Sequence, residues 1–74
     1  MSPAVPNGLS GTEIAKALER AGFGHVSTSG SHAKYRKDDR TVIVPLHRSL
    51  APGTLRSLLR QADWTVDDLT EHLK

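Results

Sequence analysis

The chain has seventy-four residues and no cysteine, and it carries ten Lys or Arg against eight Asp or Glu. It is one small domain, and the lack of cysteine excludes disulfide staples, thiol nucleophiles and Cys-ligated zinc. With no long apolar run and no secretory signal pattern, a soluble cytoplasmic protein is expected.

Residues 1–9, with Pro3, Pro6, Asn7 and Gly8, read as a flexible leader, and residues 10–74 read as the domain. Ser10 followed by Glu13 forms a capping box, predicting a helix over Gly11–Ala21 whose apolar stripe is Ile14, Ala17, Leu18 and Ala21. Gly22 follows as a left-handed cap. From Phe23 the helical period disappears. Phe23–Ser29 is expected as a weak first strand, Ser31–Lys37 as a basic second strand and the β-branched Arg40–Pro45 as a third. The intervening turns at Ser29-Gly30 and Asp38-Asp39 are short, which predicts an antiparallel meander.

Residues 47–53 form a loop, and a second helix begins around Gly53-Thr54 with Leu55, Leu58 and Leu59 in the core. Arg56 and Arg60 share another side of that helix. Thr65 and Asp68 repeat the capping logic for a last short helix, Val66–Leu73, packed through Trp64, Val66, Leu69 and Leu73. The fold class is therefore α+β, in the order α-β-β-β-α plus a short C-terminal helix. Helices cover one face of a three-stranded antiparallel sheet, and the other face stays open.

Charge distribution says more than the net +2. Residues 34–60 hold seven Lys or Arg against Asp38 and Asp39, while Asp63, Asp67, Asp68 and Glu71 crowd the C-terminal end. This asymmetry fits one face for a polyanion, and it fits an ordinary solvated surface equally well. Strand alternation sharpens it. His32, Lys34 and Arg36 share one face of the second strand, and Ala33 and Tyr35 share the other.

Two cations neutralise a phosphate, and an imidazole of reference pKa about 6.5 accepts a proton at cellular pH. RNA supplies the matching proton on its 2′-hydroxyl, whereas DNA has none. Ser31 is no hydrolase nucleophile, because it and His32 point to opposite faces and no acid is placed to orient the histidine. Gly30 serves a tight turn that also lets backbone approach a phosphate. His47 is either a loop brace or a second acid/base or phosphate contact. The four histidines show no metal-ligand spacing, so no metal and no other cofactor is expected. A lone strand histidine is still more often a surface residue than a catalyst. A non-catalytic RNA-binding module and a protein-interaction domain for an acidic partner therefore remain open.

Three segments in order carry a family resemblance: Gly30-Ser31-His32 followed by Tyr35, then Val44–His47, then Pro52–Ala62. From about Ser10 to Thr65 the chain resembles the HicA (YcfA-like) toxins of bacterial toxin–antitoxin systems. The resemblance implies a double-stranded-RNA-binding-domain-like fold and an mRNA interferase, an endoribonuclease that blocks translation. It implies that His32 is the catalytic residue and that a HicB-type antitoxin covers this face. Lys34 and Arg36 are then the expected phosphate ligands, with Gly30, Ser31, His47 and Arg48 as further RNA contacts and Arg56 and Arg60 as weaker candidates. Members often carry basic residues just before the motif. Here Ser27, Thr28 and Ser29 stand there, which predicts a weaker and less salt-dependent grip on RNA.

Overall fold

The first helix begins at its predicted cap. In the computed structural model, which describes Pro6 and residues 8–73, Ser10 Oγ accepts from the Glu13 amide and Glu13 Oε1 accepts from the Ser10 amide, both at 3.1 Å. This box opens α1, Gly11–Arg20, which buries Ile14, Ala15, Ala17 and Leu18. The helix ends one residue before the expected Ala21. Gly22 takes φ +99°, and the amides of Gly22 and Phe23 close onto the carbonyls of Glu19 and Leu18. That pair of bonds is a Schellman end, and it draws Phe23 into the core instead of the first strand. The leader expected over residues 1–9 lies mostly outside the described residues.

Three strands follow, β1 (Gly24–Ser29), β2 (His32–Lys37) and β3 (Arg40–Pro45), in one antiparallel sheet of order β1-β2-β3. Pairing of Ser29 with His32 and of Lys37 with Arg40 leaves two-residue turns, Gly30-Ser31 and Asp38-Asp39. Each turn needs a positive φ at its first residue, met by Gly30 at +57° and by Asp38 at +55°. Glycine adopts this region freely, and aspartate is among the few other residues that tolerate it. The register slips between His25 and Ser27, so Val26 bulges out of the β1 ladder and stands 54% exposed.

The helices α2 (Pro52–Ala62) and α3 (Val66–Leu73) join α1 on one side of the sheet. Helix α2 starts a residue before the sequence cue, with Pro52 in the first turn, where its missing N–H has no partner to lose. It ends on Asp63 at φ +59°, a left-handed cap without glycine. The Asp63 carboxylate meets Arg40 at 3.1 Å on the surface. The second capping box, Thr65 with Asp68, opens α3. Leu18, Leu55, Leu69, Val42 and Val44 are the fully buried centre of the core. Tyr35 lies among them with its hydroxyl 3.4 Å from Glu19 Oε2. Burial, and then the Glu19 charge, push its pKa above the usual phenol range, so it stays neutral.

The architecture is the expected α+β fold of the double-stranded-RNA-binding-domain type. Among the described residues no helix is long and apolar enough to cross a membrane.

Candidate functional site

Alternation along β2 divides its side chains as the sequence predicts. Ala33 and Tyr35 are buried under the helices, and His32, Lys34 and Arg36 are exposed on the open face. Cross-strand pairing gives each a neighbour. On the β1 side Ser29 lies opposite His32 and Ser27 opposite Lys34. On the β3 side Pro45, Ile43 and Thr41 lie opposite His32, Lys34 and Arg36. The basic row thus runs between a rim of small hydroxyls and a partly apolar rim.

The row is not one cluster. His32 and Arg36 are separated by roughly 13 Å at the usual strand rise. Arg36 is also turned toward the hairpin end, where its Nε donates to the Asp38 carbonyl at 3.0 Å. Lys34 is the nearer cation to His32. Gly30 and Ser31 occupy the turn that delivers His32 to the start of the central strand, and Arg48 follows His47 in the loop. Arg56 and Arg60 lie on α2, on the far side of β3 from β2. At about 100° per helical residue they are turned roughly 100° around α2 from Ser57 and Gln61, and Gln61 is the residue that faces β3, accepting from the Ile43 amide at 2.9 Å.

His47 reaches the site through the backbone around it. The Leu46 amide donates to the Ser31 carbonyl at 2.6 Å, and the Gly11 amide at the start of α1 donates to the His47 carbonyl at 2.9 Å. The end of β3, the start of β2 and the N-terminus of α1 are thereby tied together. Gly11 allows it: a β-carbon there would overlap the Pro45 carbonyl oxygen and lie 2.8 Å from Leu46 Cα. The loop brace considered for His47 exists, but its carbonyl makes it. Its ring meets His32 instead, with centroids 6.3 Å apart and planes at 73°.

The other two histidines are engaged in the fold. His25 packs against Tyr35 with centroids 5.3 Å apart, and its Nε2 lies 2.7 Å from Thr28 Oγ1. His72 stacks on Trp64 at 5.0 Å, and its Nδ1 lies 2.8 Å from the Asp68 carbonyl. Among the described residues no group of three or more His, Cys, Asp or Glu gathers in a metal-binding arrangement.

One feature escaped sequence reasoning. A groove of about 450 Å³ runs between the outer edge of β3 and α2, lined by Ile43, Pro45, Gly53, Thr54, Ser57, Leu58 and Gln61. Its sequence signal was the polar pair Ser57 and Gln61, four residues apart beside the leucine stripe. The groove abuts the basic row through Ile43 and Pro45, the strand partners of Lys34 and His32.

Comparison with curated proteins finds no match. A protein-family model described as the HicA toxin of bacterial toxin–antitoxin systems matches residues 11–64, a span containing α1, the whole sheet and α2. The chain, matched over well more than half its length, belongs to the HicA toxin family, and as the toxin of a toxin–antitoxin pair its partner is an antitoxin.

Proposed function

We propose that this toxin is an endoribonuclease that cuts mRNA in the cytoplasm without a metal ion, using His32 as general base. The observation that carries the reading is the His32–Lys34–Arg36 row on the open face of a helix-backed sheet. Neutral His32 takes the proton of a 2′-hydroxyl, and the resulting alkoxide attacks the adjacent phosphorus. Lys34 neutralises charge on that phosphate as it develops. Arg36, farther along the strand, holds a neighbouring phosphate, while Gly30, Ser31 and Arg48 border the same RNA path. A HicB-type antitoxin silences the toxin by covering this face.

The direct test incubates purified toxin with an RNA oligonucleotide in EDTA, beside the same oligonucleotide with 2′-deoxy residues. RNA should be cut to fragments ending in a 2′,3′-cyclic phosphate and a 5′-hydroxyl, and the deoxy version should survive. Cleavage of both, or RNA binding with no cleavage, would overturn the reading.

The two cations make a separate prediction. Each phosphate neutralised on a single strand contributes about 0.7 to the slope of log affinity against log salt. Lys34→Ala combined with Arg36→Ala should flatten that slope by about 1.4. Fluorescence anisotropy on 2′-O-methyl RNA, which cannot be cut by this route, measures it.

A further inference from the structure

We propose that His47 is a second catalytic residue, the general acid that protonates the departing 5′-oxygen. The inference rests on the ribonuclease reading above and adds to it the group that completes the proton balance.

Attack by the 2′-oxygen forms one P–O bond and breaks another. His32 gains a proton from the 2′-hydroxyl, and the 5′-oxygen leaves as an alkoxide unless a proton reaches it. The attacking and leaving oxygens stand roughly in line on opposite sides of phosphorus. The base at one oxygen is therefore badly placed to serve the other in the same step, and a second group is needed on the far side. It must carry a proton it can release near neutral pH. An ammonium or a guanidinium, the groups Lys34 and Arg36 offer, holds its proton too tightly to release it near neutral pH, whereas an imidazole is suited to the task.

The fold provides that imidazole. His25 and His72 are spent on Tyr35, Thr28, Trp64 and the Asp68 carbonyl, but the His47 ring stands 6.3 Å from that of His32. Both side chains are exposed, so a phosphate resting over the pair contacts each. Their spacing is set by backbone. Pro45 pairs with His32, the Leu46 amide bonds the Ser31 carbonyl, and the His47 carbonyl is held by the first amide of α1. The pair starts as neutral His32 with protonated His47 and ends with the protonation states exchanged. The products are a cyclic phosphate and a 5′-hydroxyl, and no other reactant is consumed.

The test compares an ordinary RNA oligonucleotide with one whose scissile 5′-oxygen is replaced by sulfur, because a thiolate leaves without being protonated. His47→Ala should cut ordinary RNA about 10²–10⁴-fold more slowly than wild type. On the sulfur-bridged substrate it should come within about tenfold of wild type, because the lost proton transfer is no longer required. His32→Ala should be slow on both. The pH–rate profile of His47→Ala should also lose its fall at high pH, since that fall reports deprotonation of the acid. His47→Gln should behave like His47→Ala, and circular dichroism on both guards against misfolding. An undiminished rate for His47→Ala on ordinary RNA would overturn the proposal, as would equal slowing on the two substrates. A wild-type protein that cuts neither substrate would instead bring down the ribonuclease reading, and the role of His47 with it.

Discussion

His32→Ala is expected to lose both growth arrest and RNA cleavage while remaining folded. A positioned general base contributes about 10²–10⁴-fold in rate, equivalent to roughly 3–5 kcal/mol of barrier. The structural cost of the change is small. His32 is exposed, and its place in the sheet is held by backbone pairing with Ser29 and Pro45, which alanine retains. Surface substitutions of this kind stay within about 0.5 kcal/mol. Induced expression of the two proteins, with thermal melts of each, separates chemistry from stability. Equal growth arrest by both would remove His32 from the mechanism and favour a toxin that acts by binding alone.

The same Gly→Ala change at two helix starts should have opposite effects. At Gly53, in the first turn of α2, an added β-carbon meets nothing within 4 Å. Gly53→Ala should raise stability by about 0.4–1 kcal/mol, because alanine restricts the unfolded chain. At Gly11 the added carbon would overlap the Pro45 carbonyl oxygen and crowd Leu46 Cα. Those are backbone atoms, so no rotamer change relieves the clash, and α1 must move away from the end of β3. Gly11→Ala should therefore cost about 1–3 kcal/mol, the range for overpacking a tight site, despite alanine's better helix propensity. It should also weaken the Gly11–His47 bond and loosen the spacing of the two imidazoles. Urea melts give the stabilities, and the cleavage rate below the melting range gives the second effect. Destabilisation of similar size at both glycines would show that the close approach at Gly11 is not what holds α1 in place.

Features resting on local rules were legible in the sequence. Both capping boxes, the Asp38-Asp39 turn and the strand alternation that exposes His32, Lys34 and Arg36 follow from neighbours within a few residues. The turn expected at Ser29-Gly30 instead falls at Gly30-Ser31, and β2 starts at His32 instead of Ser31, because Gly30 takes the positive φ at the first turn position. The sequence placed helix and strand starts a residue or so off where a proline or a Schellman end decided the matter, as at Pro52 and Phe23. What it could not show depends on long-range closure. His32 and His47 meet because β3 returns beside β2 and α1 clamps the loop, and no periodicity encodes that contact. Nor could it tell whether His47 braces the loop with its ring or its carbonyl. The tie of Arg36 to Asp38 likewise required the packed structure.

The β2–β3 hairpin turns at Asp38-Asp39, and its pairs run outward to His32 opposite Pro45. A hairpin that zips from its turn forms that outermost pair last and opens it first. His32 is also the turn-closing partner of Ser29 in the β1–β2 hairpin, so the fraying side is that of Pro45 to His47, secured by the Leu46–Ser31 and Gly11–His47 bonds. Local openings of this kind require less free energy than global unfolding. The Leu46 amide should therefore exchange its hydrogen faster than the Val42 and Val44 amides deep in β3. On the ribonuclease reading, cleavage should then fall with loosening of the His47 side of this hairpin at temperatures below the melting of the core.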